Sequence, residues 1–135
     1  MATLIGKLRG LSYELETKLR ERGIRTSDQL LDAARTPAGR KELAAYAGVE
    51  ARVILELANR ADLARVKGIG GVFSDLLEHA GVDTVRELAI RRPDNLYAKL
   101  VEINTQKSLA GRAPTQTAVM EWVAQAKDLP RKLEY

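Results

Sequence analysis

One pattern occurs twice in this chain. Leu8-Arg9-Gly10-Leu11-Ser12 aligns with Val66-Lys67-Gly68-Ile69-Gly70 at a spacing of roughly 58 positions. In that register Leu19 falls on Leu77, Gly23 on Gly81, Ile24 on Val82, Thr26 on Thr84 and Leu30 on Leu88. The local chemistry repeats as well. Thr26-Ser27-Asp28-Gln29 and Thr84-Val85-Arg86-Glu87 both read as capping boxes, in which the threonine accepts the N–H three residues on and the glutamine or glutamate reaches back to the threonine N–H. Ile24 and Val82 are placed to pack back on Leu30 and Leu88 as hydrophobic staples. Leu57-Ala58-Asn59-Arg60-Ala61-Asp62-Leu63 then echoes Val123-Ala124-Gln125-Ala126-Lys127-Asp128-Leu129. Two related units are expected: residues 1–64 with a turn at 9–13, and 65–130 with a turn at 67–71. Residues 131–135 are left as a tail.

The units read as helical. Ala51 to Ala64 carries Val53, Ile54, Leu57, Ala58 and Ala61 on one face, and Thr115 to Leu129 carries Val119, Trp122, Val123 and Ala126, with Pro130 ending it. Gly23, Gly48 and Gly81 each follow a helical pattern, where a residue of positive φ closes a helix cheaply. No stretch alternates with period two, so strands are not expected. The chain has 135 residues, 45% of them hydrophobic but only 4% aromatic. That length and composition predict an all-α fold of short helices packed as one compact domain over residues 1–135 around small aliphatics.

The run "RVKGIGGVFSDLL", Arg65 to Leu77, crowds three glycines into four positions between two helical segments. A Gly-hydrophobic-Gly turn between helices points its middle residue, here Ile69, inward as a plug. The first N–H groups of the next helix have no intrahelical partner and lie at the positive end of its dipole. With no Cβ in the way, such a corner holds a phosphate oxygen without reading a base. A tight structural corner uses the same residues, and the two readings stand side by side.

"KGIGGVFSDLLEHAGVDTVREL" resembles the helix-hairpin-helix motif of DNA-binding and DNA-repair proteins, and "RGLSYELETKLRERGIRTSDQL" is a weaker copy. With "TPAGRKELAAYAGV", "ANRADLARVKGIG" and "RRPDNLYAKLVEIN" in this order, nearly the whole chain is similar to a bacterial tandem helix-hairpin-helix family known only as a domain of unknown function. The short run Thr36 to Leu43 also resembles a hairpin of bacterial RNA polymerase, that of the C-terminal domain of its alpha chain, which contacts the DNA minor groove. The resemblance implies a double-stranded DNA backbone as partner. The candidate phosphate-binding residues are Arg65, Lys67, Gly68, Ile69, Gly70 and Gly71, with Arg40 and Lys41 at a second helix start.

The two copies differ. At the first turn Ser12 replaces the second glycine, and Glu14 and Glu16 follow; they suit the helix dipole but repel a phosphate, so this copy is expected to be structural. At the second turn no cation follows before Arg86, while Asp75 and Glu78 lie on the next helix. A module that contacts another protein, keeping the hairpins only as architecture, is the alternative. Gly39-Arg40-Lys41 and Arg91-Arg92 also fit ordinary solvated basic turns. The formal charge is +4, with 12 basic against 9 acidic residues through Arg65 and 10 against 9 beyond it. That excess permits a polyanionic partner without demanding one.

Enzyme chemistry finds no pattern. There is no Walker loop, no Ser/His/acid grouping, and the GIGG run lacks the preceding strand of a dinucleotide fingerprint. Helix-hairpin-helix glycosylases resemble the turn but need a larger domain and a placed acid. No cysteine and a single histidine, His79, leave no zinc spacing, and no cofactor or small-molecule substrate is expected. Trp122 sits in apolar register and reads as core; Tyr13, Tyr46 and Tyr97 are too scattered for a stacking platform. No apolar run approaches a membrane span, and the N-terminal residues lack a signal-peptide stretch, so the expectation is a cytoplasmic, non-enzymatic module.

Overall fold

A computed structural model describes residues 3–135. The fold is all-α: α1 Tyr13–Glu21, α2 Ser27–Ala33, α3 Pro37–Ala47, α4 Ala51–Leu63, α5 Gly71–His79, α6 Val85–Ala89, α7 Pro93–Lys107 and α8 Gln116–Asp128. A single 3-10 turn over Ile5–Lys7 precedes them. Among the described residues no strand forms; one isolated antiparallel bridge pairs Leu4 with Thr26. None of the described helices is long and apolar enough to cross a membrane.

Local signals set the helix ends. Ser12, Thr26, Thr36, Thr84 and Thr115 each accept an N–H of the first turn that follows. Pro37 and Pro93 open α3 and α7 at positions where the missing N–H costs nothing. Gly23, Gly48 and Gly81 all carry positive φ. The box at Thr26 is complete, Gln29 Oε1 accepting the Thr26 N–H at 3.2 Å. The box expected at Thr84 is only half made. Thr84 accepts from Glu87 N at 3.2 Å, but the Glu87 carboxylate lies 3.7 Å from Arg91, one turn further on, and makes no bond back to Thr84. The charge at i+4 wins over the return to the cap.

The buried hydrophobics divide into two clusters, and the division falls within α4. Leu15, Leu19, Leu30, Leu43, Ile54 and Leu57 centre the first, with Ile5 and Leu8 of the N-terminal segment. Leu63, Ile69, Leu76, Leu88, Leu100 and Trp122 centre the second. α4 therefore feeds both, its last turn handing over from Ala61 to Leu63.

Contacts at both ends of the chain tie the clusters together besides α4. The 3-10 turn lies against the start of α5. At the other end, residues 131–135 are not a loose tail: Leu133 is 3% exposed and belongs to the first cluster. Glu134 N–H donates to the Arg35 carbonyl at 2.9 Å, and Tyr135 Oη to Asn59 at 3.3 Å. A strap leaving the second cluster at Pro130 thus docks on the first.

Candidate functional site

The chain leaves α4 at Ala64 and re-enters helix at Gly71. Val66 and Ile69 both point into the second cluster, so Ile69 occupies the expected plug position. The three glycines of this turn serve three different ends. Gly68 has φ +95°, and a Cβ there would come within 2.9 Å of Trp122 Nε1. Gly71 packs its Cα on the Lys7 carbonyl of the 3-10 turn, where a Cβ would lie 2.7 Å from the carbonyl carbon. Gly70 has nothing within 4 Å of where its side chain would be, and its φ of −116° needs no glycine. Close approach by an anion, expected at all three, is geometrically open at Gly70; internal packing already uses the room at the other two.

Gly70 is the N-cap of α5 and has no side chain to close the helix. The first α5 hydrogen bond runs from Ser74 N–H to Gly70 O at 3.0 Å. The Gly71, Val72 and Phe73 N–H groups precede it and have no acceptor among the described residues. At the equivalent first turn Ser12 Oγ takes the Leu15 N–H at 3.1 Å. Gly10 keeps the positive φ of Gly68 but faces the Arg60 guanidinium, where a Cβ would lie 2.7 Å from Nη1.

The acids after the second turn do not face outward as a repelling pair. Asp75 is buried, one oxygen on Arg60 Nη2 and the other on Arg9 Nη1, both at 3.0 Å. Glu78 lies 3.0 Å from Arg60 Nε. Burial pushes the Glu78 carboxyl above its usual range, reinforced by Glu56 and Asp75 and opposed by Arg60 and His79. Arg9 comes from the first copy and Arg60 from α4, so this network also joins the two clusters across α5. His79, the last residue of α5, has Nδ1 2.9 Å from the Asp75 carbonyl. No group of three or more potential metal ligands occurs among the described residues.

The cations chosen from sequence scatter. Lys67 is exposed and forms no ion pair among the described residues, its backbone clasped by Gln125, which accepts from its N–H at 3.0 Å and donates to its carbonyl at 3.3 Å. Arg65 turns to the opposite side, held by Asp62 at 2.8 Å and by the Pro130 carbonyl at 2.9 Å. Arg40 is only 5% exposed and donates to the carbonyls of Ala34, Arg35 and Glu134 at 2.9, 3.1 and 2.7 Å. It anchors the strap and offers nothing to a ligand. Lys41 is exposed, but Thr36 already accepts the Gly39 N–H of that helix start at 3.0 Å. Arg91 and Arg92 spend themselves on Gly81 O with Glu87 and on Asp94 respectively.

Two cations that sequence reasoning missed stand by the turn. Lys7 is exposed and forms no ion pair among the described residues, and its own backbone is what packs on Gly71. Arg112, from the loop before α8, joins Lys67, Gly68, Phe73, Pro114 and Trp122 around an open groove of about 310 Å³. Glu121 is the acid on that groove. Trp122 is 2% exposed, its ring tilted against Phe73 at 5.3 Å between centroids, as its apolar register predicted. Neither cation lies near the turn in sequence; the repeat register sets Lys7 against Arg65 but gives no sign that Lys7 meets the second turn.

The chain belongs to the family described as "Domain of unknown function (DUF4332)", whose model matches residues 9–129. That interval contains both turns and α1 through α8. No curated protein and no solved structure matches the chain.

Proposed function

We propose that this DUF4332 chain is a non-enzymatic helix-hairpin-helix module that grips the backbone of double-stranded DNA, weakly and without sequence preference, at the start of α5. The observation that carries the reading is the uncapped corner at Gly70. Gly68 and Gly71 have neighbours that exclude a side chain, whereas Gly70 meets nothing within 4 Å of its Cβ position, and the N–H groups after it lack acceptors among the described residues. Bare amide donors at a helix N-terminus suit an anionic oxygen. Lys67 and Arg112 line the groove beside Gly68 and Phe73, and the Lys7 backbone packs on Gly71, so three cations belong to the segments that flank the corner. Asp75 is neutralised internally, which removes one objection raised by the acidic helix.

The test is fluorescence anisotropy with a labelled duplex across a salt series. Three cationic contacts predict a slope of log affinity against log salt of about −3, and a dissociation constant of roughly 10⁻⁴–10⁻⁶ M at physiological salt. Lys67→Glu removes one of these contacts and flattens the slope by about one unit. Undetectable binding at low salt, or an unaltered slope in Lys67→Glu, sinks the proposal. A second reading, a protein-interaction module, draws on Val72, an apolar residue 39% exposed in the first turn of α5. A discrete complex from lysate that survives nuclease and is lost in Val72→Glu favours it.

A further inference from the structure

A cavity of about 250 Å³ opens on another part of the surface, where α6, the end of α8 and the strap meet. It shares no lining residue with the groove at Lys67. Its floor is apolar: Val85 and Ala89 from α6, Ala126 and Leu129 from the end of α8, Pro130 and Leu133 from the strap. Its rim is basic. Five cations line it, Arg65, Arg86, Lys127, Arg131 and Lys132, against the single carboxylate of Asp62. The formal charge of the entire chain is +4, so this one cavity gathers an excess equal to that of the whole molecule.

The lone carboxylate is already spent. Asp62 Oδ1 holds Arg65 at 2.8 Å, and Oδ2 accepts the Val85 N–H at 2.8 Å, capping α6 from across the interface. Arg65 is thereby fixed: the same guanidinium also donates to the Pro130 carbonyl. Arg131 is steadied by a 3.1 Å bond from Nε to the Leu133 carbonyl. Arg86, Lys127 and Lys132 form no ion pair among the described residues. Cations crowded round an apolar hollow repel one another, and an anion seated there relieves that repulsion while burying apolar surface.

We infer that this cavity binds a small organic anion: one carboxylate or phosphate, carried on an apolar body of one or two rings. The oxyanion meets the rim cations Arg86, Lys127 and Lys132, Arg65 being already held by Asp62 and the Pro130 carbonyl, and the body lies on Val85, Ala89 and Ala126. Ring size follows from the volume, which is below the roughly 300 Å³ at which drug-sized sites begin. The ligand would touch α6 and α8 on one side and the strap on the other, so its binding reaches both hydrophobic clusters. None of this depends on the DNA reading.

The experiment is an amide-resolved NMR titration of the full chain with 1-naphthyl phosphate and 2-naphthoate, compared with uncharged 2-naphthamide and with inorganic phosphate. Saturable shifts at Val85, Ala89, Ala126 and Leu133 are expected from the two naphthyl anions, and the stronger of them identifies the preferred oxyanion. The amide and the bare phosphate should bind at least about tenfold more weakly. In the double variant Arg86→Glu, Lys127→Glu, both substitutions being at exposed positions, affinity for the anions should fall by about tenfold or more with an unchanged thermal midpoint. Equal binding of 2-naphthamide, shifts that scatter over the surface without saturating, or full affinity in the double variant would overturn the inference.

Discussion

Gly71→Ala tests whether the 3-10 turn is truly seated on α5. A Cβ at residue 71 would overlap the Lys7 carbonyl oxygen and sit 2.7 Å from its carbon and 3.4 Å from Leu8 N. The turn cannot back away freely, because Ile5 and Leu8 on either side of Lys7 are 0% and 3% exposed in the first cluster. Relieving the overlap means sliding one packed element past another, an overpacking cost of about 2–4 kcal/mol. Alanine's better helix propensity offsets at most about 1 kcal/mol of that. A net loss of about 1–3 kcal/mol is expected, equivalent to roughly 4–12 °C in midpoint for a chain of this size. Urea unfolding reads it as a lower transition midpoint at constant slope. Gly111→Ala is the control: nothing lies within 4 Å of its Cβ position, so it should change stability by less than about 0.5 kcal/mol. If Gly71→Ala behaves like the control, the turn is not held on α5. Lys7 then has no fixed place beside the Gly70 corner, and one of the three cations assigned to DNA is lost.

Other expectations follow from the same geometry. Gly70→Ser transplants the cap that Ser12 provides in the first copy; it should stabilise by about 0.3 kcal/mol while occupying the Phe73 N–H. Duplex affinity should therefore fall as the thermal midpoint rises, and unchanged affinity would show that the donor plays no part. Arg40→Ala strips three carbonyls of their donor and frees the strap, costing about 2–4 kcal/mol by chemical unfolding. Lys41→Glu next to it should leave stability almost untouched. Glu78 has a folded-state pKa above its ordinary 4.5, so the folded chain binds the extra proton in that window, and this group's contribution to stability declines as pH rises through it. Glu78→Gln should flatten the thermal midpoint against pH above about 4.5, and an unaltered profile would refute the raised titration of this half-buried carboxyl.

What the letters disclosed and what they concealed divides by the range of the interaction. Thr36-Pro37, Thr84 and Gly81 announce helix ends because a cap is settled within four residues. The two copies of the turn were visible for the same reason. The fates of Arg40 and Arg65 were only partly so: Asp62 and Arg35 are near neighbours in sequence, but the Glu134 and Pro130 carbonyls that complete their bonding lie far away along the chain. Asp75 read only as an acid on the helix after the second turn, and it is the shared partner of Arg9 and Arg60. Counting charges by halves likewise found near balance, since the cations of the basic cavity are dispersed from Arg65 to Lys132 and meet only when α6, α8 and the strap close. The glycines make the point most sharply. Gly70 and Gly71 are adjacent and identical in sequence, yet one leaves open space and the other admits a carbonyl. A glycine records that a side chain is missing; only the fold decides whether a neighbour has already taken the room. A glycine-rich turn can thus support a ligand site only at positions where internal packing leaves the absence unexplained, and here that criterion selects Gly70 alone.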